Sequence, residues 1–146
     1  HEVDNVVDIG QAEGEVIHQA YLGSCTGGRY NDMVEAARIL KGRKAHPKVR
    51  FLVSPASLDI YLRALKGGVL EILSESGAVI LAPGCGACLG LHSGVLAAGE
   101  RAVSSTNRNF VGRMGHKEAE IFLASPASVA AAAVAGRITD PRHYLL

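Results

Sequence analysis

Four short runs along this chain each stop at a cluster of glycine, serine, proline or asparagine. EVIHQAYL (15–22) leads into GSCTGGR, VRFLV (49–53) into SPAS, AVILA (78–82) into PGCGACLG, and RAVSST (101–106) into NRNFVGRMG. Runs of this length between turn-forming residues read as strands. What lies between them reads as helix. Asp32 and Glu35 have capping-box spacing, Met33, Val34, Ala37 and Leu40 share one helical face, and Gly42 marks the stop. A second helix is expected from about Pro55 to Lys66, and a third in the alanine-rich VAAAAVAG that ends near Gly136. The segments FLVSPAS (51–57) and FLASPAS (122–128) echo one another. In each, Ser suits the N-cap and Pro the first helical position, so one strand-to-helix junction is expected twice.

Strands alternating with helices predict a mostly parallel sheet covered on both faces, a three-layer α/β/α fold. Sheets of this kind take ligands beyond the carboxyl ends of their strands. The chain has 146 residues, 48% of them apolar, enough for one domain with its own core. Fifteen basic residues face fourteen acidic ones without a run of like charge, and there is no Trp. This leaves no electrostatic footprint for nucleic acid or an anionic membrane, and few platforms for stacking bases. No stretch is apolar for long enough to span a bilayer, and HEVDNVVDIG lacks the basic start and apolar run of a signal peptide. A cytoplasmic setting is therefore expected. Residues 1–14 read as a leading or interdomain segment.

Three cysteines are an odd number for a disulfide framework, which turns attention to metal or catalysis. Cys25, Cys85 and Cys88 each lie in a loop just after an expected strand, and Gly84, Gly86 and Gly90 thin the packing around the C-x-x-C pair. The spacing fits a redox dithiol, half of a zinc site or two ligands of an iron-sulfur cluster, and does not choose among them. The polar loop from Ser104 to Arg113 carries Asn107, Arg108, Asn109 and Arg113. Arginine presents a planar fork matched to carboxylates and phosphates, so this loop is a candidate for binding such an anion. His92 and His18 read as structural, Arg29 and Tyr30 as a helix start, and Lys41, Arg43, Lys44 and Lys48 as a solvated helix end.

Taken in order, GSCTGGR (23–29), APGCGACLG (82–90) and STNRNFVGRMG (105–115) resemble the cluster-bearing domain of the aconitase superfamily. The resemblance is to its two-subunit branch, which acts on hydroxy acids of the isopropylmalate or homocitrate type. It extends over nearly the whole chain, LASP near the carboxyl end included. It implies that Cys25, Cys85 and Cys88 bind a [4Fe-4S] cluster and that Asn107, Arg108 and Arg113 hold substrate carboxylates beside it. With three thiolates for four irons, one iron stays open and can polarise a C–OH bond during dehydration and rehydration.

Two departures from the family's pattern stand out. The family commonly has Cys-Thr-Asn where this chain has Cys25-Thr26-Gly27, so an amide beside the cluster is lost. Family large subunits of this kind are also several times longer. The chain is therefore read as a single domain, 1–146, from the carboxyl-terminal part of such a subunit. Its acid/base His and Asp are expected in preceding domains, and its serine base in a small subunit carrying the swivelling domain. The chain alone is expected to be inactive. The competing expectation is a metal-binding module for assembly or regulation, without catalysis.

Overall fold

The computed structural model describes residues 1–145. In chain order the elements are α1 (Ile9–Ala12), β1 (Gln19–Leu22), α2 (Ser24–Gly27), α3 (Tyr30–Leu40), β2 (Arg50–Val53), α4 (Leu58–Lys66), α5 (Val69–Glu75), β3 (Val79–Ile80), β4 (Arg101–Ser104), β5 (Glu120–Leu123) and α6 (Pro126–Ala135). A 3-10 turn covers Gly86–Leu89 and another Pro141–Tyr144. The strands form one sheet in the order β3-β2-β1-β4-β5, parallel throughout. The chain works outward from β1 to β3, then returns to the other side of β1 for β4 and β5. Chain order thus reverses at the β1/β4 boundary, where sheets of this class open a crevice at the carboxyl edge.

Right-handed crossovers place connections running one way on one face of a sheet and those running the other way on the opposite face. The packing follows that division. Ala20, Leu22, Phe51, Val53 and Val103 join residues of α3, α4, α5 and α6 in one core. Their alternate neighbours Tyr21, Leu52, Ala102 and Ile121 join Ala87, Cys88, Leu96, Met114 and Ala119 in a second. This is the period of two expected for strands buried on both faces. The α/β expectation therefore holds, with one refinement. The layer over the second core is the connection between β3 and β5, whose only helical element is the 3-10 turn at the cysteines.

The alanines of α6 let it lie close to α3 and β1, with Ala127 to Ala133 buried all around. Ser125 caps it as expected, its Oγ accepting from the Ser128 amide at 3.1 Å. The other Ser-Pro junction departs from the expected pattern. Ser57 caps α4, its Oγ accepting from the Ile60 amide at 3.3 Å, and the helix starts at Leu58. The Ser54 hydroxyl donates instead to the carbonyl of Gly84 at 3.0 Å. Helix α3 also starts earlier than the capping pattern suggests, with Asp32 in its first turn accepting from the Arg29 amide at 3.0 Å. Strand β1 is shorter than the apolar run. Val16 bridges Arg137 instead, and the Ile17 amide donates to the Gly136 carbonyl at 3.1 Å. Among the described residues, no helix is long and apolar enough to cross a membrane.

Candidate functional site

All three cysteines are free, and all stand past the carboxyl ends of strands. Cys25 lies in the single turn α2, directly after β1, with its side chain exposed. Cys85 is exposed and Cys88 buried, at the start and within the 3-10 turn that follows β3. The Cys88 amide donates to the Cys85 carbonyl at 2.9 Å, which folds the pair into one compact loop.

Side chains from the strands pin these loops. Tyr21, fully buried on β1, donates its hydroxyl to the Cys85 carbonyl at 3.1 Å. Its phenol is pushed up to about 12, chiefly by burial, with the two thiols of the Cys85 loop adding to the effect. Gln19, two residues earlier on the same face, donates to the Gly94 carbonyl at 2.8 Å and accepts from Arg50 at 3.1 Å. Ser54 ties the end of β2 to the approach of the Cys85 loop. Ser105, just past β4, accepts from the Gly23 amide at 3.0 Å and faces the carbonyls of Gly27 at 3.1 Å and Gly23 at 3.2 Å. The Cys25 turn is thus gripped from the β4 side, and from the β2 side the Ala56 amide donates to the Gly28 carbonyl at 2.9 Å. A Cβ on Gly27 would overlap the Ser105 carbonyl oxygen, and one on Gly28 that of Ser54. Only glycine lets the backbones come this close.

The anion-binding candidates divide. Arg113 reaches one thiol: its Nη2 donates to Cys88 Sγ at 3.6 Å, and its Nε is buried without a partner in the structure. Asn107 and Asn109 line a different cleft of about 580 Å³, under residues 1–12 and beside β4 and β5. There Asn109 donates to the Ile121 carbonyl at 2.6 Å. Arg108 is exposed. Cys25 opens into a shallow cleft of about 500 Å³ with Arg29, Tyr30, Asn31 and Arg63, the Arg63 guanidinium stacked 3.9 Å from the centre of the Tyr30 ring.

Among the described residues, no three His, Cys, Asp or Glu side chains gather closely enough to hold a single metal ion. An iron-sulfur cube is wider than an ion, and its thiolate ligands stand correspondingly apart. The donor chemistry suits it: three unpaired thiols on one edge of the sheet, with a buried guanidinium nitrogen lacking a partner beside one of them. His18, just before β1 rather than on it as expected, accepts from the Arg101 amide at 3.0 Å and has a structural role.

The family model described as "Aconitase family (aconitate hydratase)" matches residues 4–136. The chain is 58% identical over 142 residues to the "3-isopropylmalate dehydratase large subunit 1" of Methanopyrus kandleri, covering 97% of this chain and 34% of that protein. It is 54% identical over 145 residues to the "3-isopropylmalate dehydratase large subunit 2" of Archaeoglobus fulgidus, covering 99% and 35%. Against the "Methanogen homoaconitase large subunit" of Methanocaldococcus jannaschii it is 53% identical over 140 residues, covering 96% and 33%. The chain therefore spans about a third of the length of these curated relatives.

Proposed function

This chain belongs to the aconitase family, and from that premise we propose that it is the cluster and substrate-carboxylate domain of a hydro-lyase. The reaction is isomerisation of a hydroxy acid of the 3-isopropylmalate or homocitrate type, by loss and re-addition of water. One observation carries this reading. The loop of Cys25 and the loop of Asn107, Arg108 and Arg113 leave the adjacent strands β1 and β4, on either side of the boundary where chain order reverses.

Cys25, Cys85 and Cys88 would hold a [4Fe-4S] cluster as its three thiolate ligands. When bound, the cluster supplies a Lewis acid, through the iron that lacks a protein ligand. This chain's own part is to bind and orient. The Arg113 fork is already next to Cys88, where a guanidinium can face a carboxylate. Arg108, exposed on the same loop, supplies a second cation; Asn107, which lines the neighbouring cleft, would add an amide on turning towards the thiols. The acid/base groups belong to the rest of the large subunit and to a small subunit carrying a swivelling domain. On this reading residues 1–146 are a carboxyl-terminal domain with 1–14 leading into it, the enzyme works in the cytoplasm, and the chain alone does not turn over substrate.

Anaerobic reconstitution with iron and sulfide tests the assignment, read by metal and sulfide analysis and by electron paramagnetic resonance. The chain is expected to take up one cluster, and Cys25→Ser and Cys88→Ser each to abolish it. Zinc uptake in place of iron, or no metal in a folded chain, would overturn the reading.

A further inference from the structure

Ser105 is not among the residues for which the family resemblance supplies a role, yet its hydroxyl bonds the Cys25 turn directly. It is 7% exposed. Its amide donates to the Tyr21 carbonyl at 3.1 Å, extending the β1–β4 ladder by one rung past β4. Its hydroxyl then serves in both directions. The oxygen accepts from the Gly23 amide, and the O–H is within reach of the carbonyls of Gly23 and Gly27. One side chain therefore touches both ends of the turn that carries Cys25.

The approach depends on Gly27, because any Cβ there would strike Ser105 backbone. Asparagine, usual in the family at this position, has no room in this arrangement. The contact with Ser105 stands where that amide's side chain would be.

We propose that Ser105 is a positioning residue that holds the Cys25 turn in fixed register with the Asn107–Arg113 loop, Gly27 being the residue that admits it. The two loops carry what an addition or elimination must hold at a set separation: a metal ligand on one, carboxylate-binding cations on the other. Misplacement by about 1 Å weakens such chemistry severely. The register itself is a property of the metal-free chain. Its catalytic meaning rests on the cluster-binding reading above.

Amide hydrogen exchange on the metal-free chain tests the register. Ser105→Ala leaves the Gly23 amide buried without its acceptor, and exchange should quicken about tenfold in residues 23–29 and 105–113 together. The helices α3 and α6 should keep the parent's protection. Gly27→Ala, which wedges the loops apart without removing the hydroxyl, should loosen the same two segments. Ser125→Ala, which removes the cap of α6, should loosen α6 and leave both loops alone. Loosening of one loop without the other, or equal loosening by Ser125→Ala, would overturn the proposal. After reconstitution, the cluster of Ser105→Ala should be lost in air several-fold faster than the parent's, and an equal rate would deny Ser105 any part in holding it. A parent chain that takes up no cluster would contradict the proposed function, while the exchange experiment would still decide the register.

Discussion

On one face of the sheet, Ala20, Leu22, Phe51, Val53 and Val103 meet four helices; on the other, Gln19, Tyr21, Leu52, Ala102 and Ile121 meet a connection with one 3-10 turn. The difference lies in where backbone polar groups find partners. A helix satisfies its own carbonyls and amides, so the strand residues beneath it need only be apolar and of the right size. An irregular connection cannot do this, and buried polar groups in it must be met from outside. The strands supply what is missing through Tyr21 to Cys85, Gln19 to Gly94, and Ser54, just past β2, to Gly84. The helix face sets stability for the whole chain. The loop face sets the geometry of three thiols and an arginine.

The sharpest attack on that division is Phe51→Ala. Phe51 is 2% exposed in the helix-side core, and its loss should cost about 3–5 kcal/mol. Urea unfolding should show one transition at lower midpoint, with thiol loops and helices unfolding together. Loss of loop protection at urea concentrations where the helices survive would break the comparison.

Tyr21→Phe probes the other face with a smaller change. The ring stays, the hydroxyl bond to Cys85 goes, and the expected cost is about 1 kcal/mol, with faster exchange confined to residues 84–90. The variant also carries a signature at alkaline pH. Burial holds the folded phenol at about 12, against 10.0 for an unperturbed tyrosine. The unfolded chain therefore ionises first: the contribution is complete below about pH 10 and is lost as pH rises towards 12. The parent's stability should fall through that window more steeply than that of Tyr21→Phe.

The smallest effect lies at the amino end of the sheet, where Arg50 at the start of β2 makes two bonds of 2.7 Å to Glu100 just before β4. The hydrogen bonds from Arg50 hold the Glu100 carboxyl down at about 2, against an ordinary 4.5. Its contribution is present above the ordinary value and is lost as pH falls from there towards 2. Arg50 is 45% exposed, so solvent screens the pair and limits it to about 1 kcal/mol or less. Glu100→Gln should flatten the acid limb of the stability curve and leave exchange in the thiol loops unchanged.

The helix side is legible in sequence where one local signal serves one local purpose. Ser125, Pro126 and the alanine run specify α6 without reference to the rest of the molecule. The same heptapeptide pattern misleads at Ser54, because its hydroxyl is drawn to Gly84, far along the chain, and capping passes to Ser57. Helix α5 has no clear signal of its own. It starts three residues after α4 ends, parted from it only by Gly67 and Gly68, and its seven residues are too few for a strong period. The positions of the cysteines past strand ends follow from the alternation of elements. The residues that pin them do not, since Tyr21 differs from an apolar core residue only through a partner that folding brings to it.

The brevity of β3 bears on how the protein behaves when concentrated. An outer strand is an open row of donors and acceptors on which another chain can lay down its own strand, the first step of sheet-to-sheet aggregation. Here that margin is two residues long, Val79 and Ile80. Two residues offer too short a template to hold a guest strand, so on this side the sheet is protected from extension by shortness, with neither proline nor charge in the strand.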